Sequence, residues 1–446
     1  MRFLACLGLA LSLAAPVPAR QRPPVSLQDL AARVESARLS RTVDRLASLG
    51  TRHTLSDPAS TRRGIGAARH WLAEELQALT QIPESRLVMF EDSFTAGPGP
   101  LLPAGADLVN LGVLLPGADP RRARQALVVV AHYDSRNGDA LDASSDAPGA
   151  VDNASGVALL LEMATVLATE KPAVSIYFVA TAGGAQGALG SARLANRLKT
   201  ERIEVIGMAA VDCVGNILGA DGSKNGGAMR LFSDGVPAQE TEGQRRVRDL
   251  LGTENDGAGR ELARYLKRCG ERFAENFECL VMLRRDRLGY VGEQAVFTRE
   301  GVPGVRVTEL IDPFDRLAQG ARPGAAHRDI PSFFDAGYCA KIARVLATGF
   351  RQLACAPEGP QNVGLAGVGT SGTRLWWTLP DDPRITGIVI YRRRADGVQW
   401  QQARVFPKGE SAVLPGVSTD NEVFAVATLD AQNDESLPVS PRSIEY

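Results

Sequence analysis

The sequence predicts an α/β protein: a doubly wound, mostly parallel sheet, followed by a small all-β sandwich. Three observations carry that expectation. Ala126–Ala131 and Val174–Ala180 are unbroken apolar runs, as expected of strands buried on both faces. Segments of helical period stand between such runs, the alternation that builds a parallel sheet covered by helices. Beyond residue 360 the apolar period changes to two and turn residues recur at short intervals.

In chain order, Leu27–Leu49 has helical periodicity and ends at Gly50-Thr51. Gly64–Leu79 is a second helix, with Ala67, Trp71, Leu72, Leu76 and Leu79 along one stripe. Strand Ala126–Ala131 leads to helix Gly156–Ala168, and strand Val174–Ala180 to helix Ser191–Lys199. Ile203–Val211 is a further strand. Asp234–Arg285 is polar, charged and mostly helical in pattern, Val305–Glu309 reads as one more strand, and Phe333–Leu353 as a long closing helix. Ala356-Pro357-Glu358-Gly359-Pro360 has the composition of a linker. After it, Arg374–Leu379, Gly387–Arg392, Ala412–Leu414 and Val423–Ala427 are short strands separated by Asp, Gly, Asn and Pro. Trp376, Tyr391 and Trp400 are expected in the core of that second unit.

The amino terminus reads as a processing signal over residues 1–19. Met1-Arg2 is positive, Phe3–Ala15 is apolar, and Val17-Pro18-Ala19 is a small-residue exit. The expected mature chain is exported, periplasmic or extracellular, with an α/β domain over 27–356, a linker over 357–360 and a β-sandwich over 361–446. No later segment reaches the length of about 18 apolar residues expected of a membrane span. Apolar content of 44% and charged content of 23% suit a globular chain, and the net charge of −1 argues against nucleic-acid binding. Cleavage would leave Cys213, Cys269, Cys279, Cys339 and Cys355, an odd set. Cys269 and Cys279 are near enough in sequence to bridge, and none has the spacing of a thiolate metal site.

The residues able to carry chemistry fall at element ends. In Val129-Val130-Ala131-His132-Tyr133-Asp134, His132 and Asp134 point to one side at the carboxyl end of a strand, the rim where α/β sheets place their sites. A ligating histidine needs its second nitrogen fixed by a neighbour, a role open to Asp134. Asp152 lies at a loop-to-helix junction, where a carboxylate either caps the helix or bridges metal ions. Asp212 ends the strand Ala209-Ala210-Val211 and is either a rim residue or a turn residue. The histidines are His53, His70, His132 and His327; His327, in Ala325-Ala326-His327-Arg328-Asp329, is the one downstream of Asp212.

His132-Tyr133-Asp134-Ser135, Pro148-Gly149-Ala150-Val151-Asp152-Asn153-Ala154-Ser155-Gly156, Gly187-Ala188-Leu189-Gly190-Ser191 and Asp212 follow one another in the order found in secreted dizinc aminopeptidases. The chain resembles that family, metallopeptidase family 28, over roughly Leu39–Ala354. Glutamate carboxypeptidases and the transferrin receptor are wider relatives. The resemblance implies a zinc-aminopeptidase fold that acts on peptide or protein N-termini. It implies one zinc on His132, Asp152 and Asp212. A second zinc would share Asp152 and use a distal histidine, matched by His327, and the second residue of a Glu-Glu pair. The first glutamate of that pair is the general base.

Here the pair is replaced. The base position is Gly184 and the second-zinc carboxylate position is Ala185. The family's Gly-Asp-His also has a different counterpart, Gly292-Glu293-Gln294. The implied chain holds one zinc with three ligands, while the second ion is short of donors. Hydrolysis is expected to be impaired or lost. Restoring Gly184→Glu with Ala185→Glu is expected to raise activity if the site is only depleted. Two alternatives stand: a working aminopeptidase with Glu309 or Asp329 as substitute base, or a non-enzymatic module binding peptides or glycans. The pattern from Trp376 through Gly387-Ile388-Val389-Ile390-Tyr391-Arg392 to Glu435-Ser436-Leu437-Pro438 resembles a fibronectin type III domain.

Overall fold

The computed structural model describes residues 25–316, 328–367 and 372–445. The chain opens with helices α1 (Leu27–Ala32), α2 (Ser36–Ala47) and α3 (Gly64–Thr80). Strands β1 (Val88–Ala96), β2 (Ala106–Leu115) and β3 (Gln125–His132) come next, then α4 (Gly156–Leu167), β4 (Ser175–Thr181), α5 (Leu189–Thr200) and β5 (Glu204–Val211). The second half of this unit holds β6 (Ala228–Ser233), α6 (Glu242–Leu251), α7 (Ala258–Gly270), β7 (Glu278–Met282), α8 (Gln294–Thr298), β8 (Gly304–Glu309) and α9 (Ala336–Cys355).

The eight strands form one sheet in the order β1-β2-β4-β3-β5-β8-β6-β7. The sheet is mixed. Strands β4, β3, β5 and β8 run parallel through its middle, and β6 is parallel to β7. The β1–β2, β2–β4 and β6–β8 pairs are antiparallel. The expectation of a mostly parallel sheet therefore holds for the centre and not for the edges. Polar β1, with Glu91, Asp92, Ser93 and Thr95, is an edge strand whose alternation is half-exposed, so it carries no continuous apolar signal.

Strand β3 shows why both faces are covered. Leu127, Val129 and Ala131 join the main core with α2, α3, α4 and α9, while Val128 and Val130 pack with Leu194 and Leu198 of α5 and Phe297 of α8. Side-chain alternation thus forces one helix layer on each side. The run Ala150–Leu167 is long and apolar enough to cross a membrane, but 89% of it is buried inside the protein. It is the core helix that ends under the site. All five cysteines among the described residues are free, so Cys269 and Cys279 do not bridge.

The remaining strands are β9 (Gln361–Ala366), β10 (Gly372–Thr378), β11 (Gly387–Arg394), β12 (Gln402–Pro407), β13 (Ser411–Pro415), β14 (Glu422–Leu429) and β15 (Ser443–Glu445). They form a four-stranded sheet, β13-β10-β9-β15, and a three-stranded sheet, β12-β11-β14. One apolar cluster joins the two, with Leu365, Leu375 and Trp377 from the first and Ile388, Ile390 and Phe424 from the second. The alternation of β10 turns Trp377 inward, so its neighbour Trp376 is the half-exposed one and not the core residue expected. Tyr391 is buried as expected, with Trp400 packed against it, and both meet the α/β unit along a seam: Trp400 Nε1 donates to Glu261 Oε2 at 2.8 Å, and Arg268 of α7 lies 4.5 Å from the Tyr391 ring centre.

That seam is ionic and buried. Arg264 pairs with Asp256 at 2.6 Å and with Glu261, and Arg393 of β11 reaches the other oxygen of Asp256 at 2.6 Å. Arg384 donates to the Cys355 carbonyl at 3.0 Å and Thr428 to the Glu358 carbonyl at 2.8 Å. The linker segment is thus hydrogen-bonded to the C-terminal unit that follows it.

Candidate metal centre

His132 closes β3 and Asp212 follows β5, its neighbour in the sheet, so both lie at the carboxyl-end rim. Asp152 comes from the loop entering α4. Asn153 ties that loop to the end of β5: its Nδ2 donates to the Val211 carbonyl at 2.8 Å, and its Oδ1 accepts from Cys213 N at 3.1 Å. Ser155 adds a second tie by accepting from Val214 N at 3.1 Å. The Asp152–Asn153 peptide is cis. Asp329 grips the same loop from below, accepting from Val151 N and Asp152 N at 2.8 Å each.

The result is convergence. His132 Nε2 lies 3.6 Å from Asp152 Oδ1 and 3.8 Å from Asp212 Oδ1. One donor atom from each of the three residues falls within 4.8 Å of the other two. One imidazole nitrogen with two carboxylate oxygens suits a zinc ion with an open position. The electrostatics agree. Burial and the nearby Asp212 push the Asp152 carboxyl above its usual pKa, so this carboxylate lacks a sufficient counter-charge from the protein. Burial opposes ionisation of Asp212 too, but Arg306 and His132 hold its pKa well below the usual range. Burial disfavours the charged imidazole, yet Asp134 and Asp212 raise the pKa of His132 well above its usual value. A cation is what this cluster calls for.

Asp134 orients His132 by a route other than its carboxylate. His132 Nδ1 lies 3.1 Å from the Asp134 backbone carbonyl; a proton there leaves Nε2 bare and facing the cluster. The Asp134 carboxylate instead accepts Gly184 N at 2.8 Å and Ala185 N at 3.0 Å. So the two residues that replace the glutamate pair are fixed by their backbones to the element that carries His132. Gly184 is also tight against it. A Cβ built there would lie 2.3 Å from His132 Cβ, and Gly183 beside it has φ +66°. A side chain at 184 therefore cannot be added without moving His132, a cost that the Gly184→Glu, Ala185→Glu pair would have to meet before activity could rise.

The substitute bases are placed as follows. Glu309 is fully buried and accepts Gly215 N at 3.0 Å and Asn216 N at 2.7 Å through one oxygen. Burial raises its pKa to about 8, so at neutral pH it mostly carries a proton and is a poor acceptor. Asp329 has its pKa raised by burial to about 6, but both oxygens hold the Asp152 loop. His327 lies outside the described residues. Ala185 offers only a methyl group, so among the described residues the second ion keeps Asp152 alone.

Four residues at this rim were not singled out as candidates. Glu293 is buried; its Oε1 accepts from Thr181 Oγ at 2.5 Å and Ser191 Oγ at 2.7 Å, and its Oε2 has no partner among the described residues. Thr181 stands directly across the ladder from His132. Arg306 bridges Asp212 at 2.5 Å and Asp286 at 2.7 Å. Arg287 sits beside them. The only signal for these was the Gly292-Glu293-Gln294 departure, which marked Glu293's neighbourhood. Nothing in the local sequence marks the arginines.

Fold and site together define a zinc-peptidase-type protein: an α/β sheet with a His-Asp-Asp cluster at its rim. Residues 110–323 match Peptidase family M28. A probable zinc metalloprotease of Leptosphaeria maculans is 31% identical over 95% of this chain and 98% of its own length. One of Phaeosphaeria nodorum is 32% identical over 95% of this chain and 88% of its own length. The chain belongs to the M28 zinc metallopeptidase family. LapB of Legionella pneumophila has the same fold, with a TM-score of 0.52, 17% identity and coverage of 74% of both chains. The LapA aminopeptidase of the same organism gives 0.51 at 16% identity, covering 79% of this chain and 80% of its own.

Proposed function

We propose that this chain is an exported M28-family protein that keeps one zinc site and binds peptides, with hydrolysis impaired or lost. The observation that carries the reading is the Gly184-Ala185 segment. Its two N–H groups are engaged by Asp134, and the glycine is packed against His132. His132, Asp152 and Asp212 would hold the ion, which supplies Lewis acidity and a more acidic bound water when present. Asp134 fixes the imidazole, Arg306 fixes Asp212, and Asn153 and Asp329 fix the Asp152 loop. What the residues do not offer is a proton acceptor at the usual place, a loss worth about 10²–10⁴-fold in rate.

Metal analysis of the purified chain, together with an aminoacyl-chromogen assay, tests this. One zinc per chain and little turnover is the expected result. Two zincs with turnover like that of relatives carrying the glutamate pair would overturn it. The second reading, a slow hydrolase, is favoured by the partnerless oxygen of Glu293. Glu293→Gln would then abolish whatever residual hydrolysis the wild type shows, while leaving zinc content in place.

Residues 1–19 act in this reading as the export signal, which N-terminal sequencing of the mature chain near Ala19 checks. Residues 361–446 act as a fibronectin type III-like sandwich, supported by the core shared between its two sheets. The buried seam favours a fixed brace rather than a swinging arm.

A further inference from the structure

Three arginines, Arg306 buried and Arg230 and Arg287 partly buried, are linked to the rim through Asp212, Asp286 and Asp312, and their partners differ. Arg230 makes a two-point pair with Asp312, at 2.8 and 2.9 Å. Arg306 uses both Nη atoms, on Asp212 and Asp286, and only its Nε is without a partner among the described residues. Arg287 shares Asp312 with Arg230 through one nitrogen, Nη1, at 2.8 Å. Its side chain is 8% exposed, its Nε is buried without a partner, and its Nη2 makes no hydrogen bond among the described residues. The guanidinium lies 4.4 Å from the ring centre of Tyr290, a flat support that keeps its plane fixed. Its charge acts on both Asp152 and Asp212. Leu288, Tyr290, Val291 and Phe314, all exposed, lie on the segments that carry Arg287 and Asp312.

A partly buried guanidinium with an Nη2 unmet on its edge is a recognition element for a planar anion, since carboxylates match its fork geometry. From the unmet edge of Arg287 beside the His132-Asp152-Asp212 cluster, we propose that the cleft selects peptides bearing a carboxylate next to the bond held at the metal. This deepens the peptide-binding reading and rests on it. A site for free N-termini needs an anion to meet the ammonium, and Arg287 supplies the opposite charge. The carboxylate is either a chain terminus or an acidic side chain, and the two sources separate experimentally.

Calorimetry of the full-length chain with three dipeptides tests the proposal: Leu-Ala with a free carboxyl terminus, Leu-Glu-amide with a side-chain carboxylate only, and Leu-Ala-amide with neither. One or both acids should bind at least about tenfold more tightly than the amide, as expected of one charge-assisted contact. Which acid wins identifies the source. In Arg287→Met the preference should vanish, and in Arg287→Lys it should shrink, because the charge remains without the fork. Should Arg287→Met fail to fold, an undiminished preference in Arg287→Lys overturns the idea. Equal binding of all three peptides, binding of none, or a preference surviving in Arg287→Met also overturns it. If Arg287 only balances the acidic cluster, Arg287→Met changes zinc affinity and leaves the acid-to-amide ratio untouched. Zinc content is read in parallel, so a chain without zinc that still prefers acids defeats the metal reading and spares this one.

Discussion

The rim and the seam are both made of buried arginines and carboxylates, yet they are built to opposite ends. At the seam both oxygens of Asp256 and of Glu261 are met, and the atoms left unpaired among the described residues, Arg264 Nε and Nη2 and Arg393 Nε, are on the cations. Asp256 sits between Arg264 and Arg393, and Glu261 between Arg264 and the Trp400 indole. At the rim the charges stay open: Asp152, Glu293 and Arg287 each keep capacity that no described residue meets. Buried charges that satisfy one another lock parts together, whereas buried charges left short define what must arrive from outside.

The largest effect should come from breaking the closed region. Arg264→Met would leave Asp256 and Glu261 without their shared partner, and removing one side of a buried pair costs about 3–5 kcal/mol. Calorimetric melting should show that loss with zinc content unchanged. If the melt is unaffected, the seam is not the closed network described. Opening the rim further has a different signature. Asp152→Ala removes the one carboxylate that both ion positions share, so zinc affinity should drop by more than the about 10–100-fold typical of losing an outer support. Its stability without metal should rise or hold, because an uncompensated carboxylate is gone.

Gly184→Ala probes how tightly the gap is packed. The new Cβ meets His132 at 2.3 Å, an overpacking worth about 1–3 kcal/mol that should appear in the melt and in weaker zinc binding. Ala185→Glu, at a half-exposed position, should instead be tolerated and add affinity for a second ion. If Gly184→Ala binds zinc as the wild type does, the segment is looser than the contact implies.

How much of this was legible in sequence follows from what fixes each residue. His132, Asp152 and Asp212 could be read because strand ends and a loop-to-helix junction are local signals, and the sheet brings them together. The central strands were legible for the same reason: Val128 and Val130 are apolar because both faces are covered. The outer strands β1, β2, β6 and β7 were not. β1 is half-exposed, β6 and β7 lie among polar stretches, and β2, though mostly buried, is broken by Asn110 and Gly112, so none carries a continuous apolar run. Arg287 and Arg306 were not legible either, since each matters only through carboxylates on other elements. Trp376 and Trp377 show the limit of pattern reading, because a one-residue difference in register exchanges core for surface.

Asp434, also at the seam, lies 3.3 Å from Arg351 of α9 and makes the seam sensitive to pH. Burial outweighs the Arg351 charge and raises its pKa to about 7, against about 3.9 for an unfolded aspartate. Between those values the folded chain holds a proton that the unfolded chain releases. This group's contribution to stability is therefore full below about pH 4 and is lost as pH rises toward 7, with a slope of at most about 1.4 kcal/mol per unit. Asp434→Asn cannot release the proton, so its stability profile should lack that fall. At pH 7 the wild-type carboxyl is about half protonated, and the slope accumulated over about three pH units should leave the wild type roughly 4 kcal/mol less stable than Asp434→Asn if the two match at pH 4. Melting curves from pH 4 to 8 decide it. A wild type whose stability rises through this range relative to Asp434→Asn would mean that Arg351 holds the carboxylate ionised, making the seam closed at this position as well.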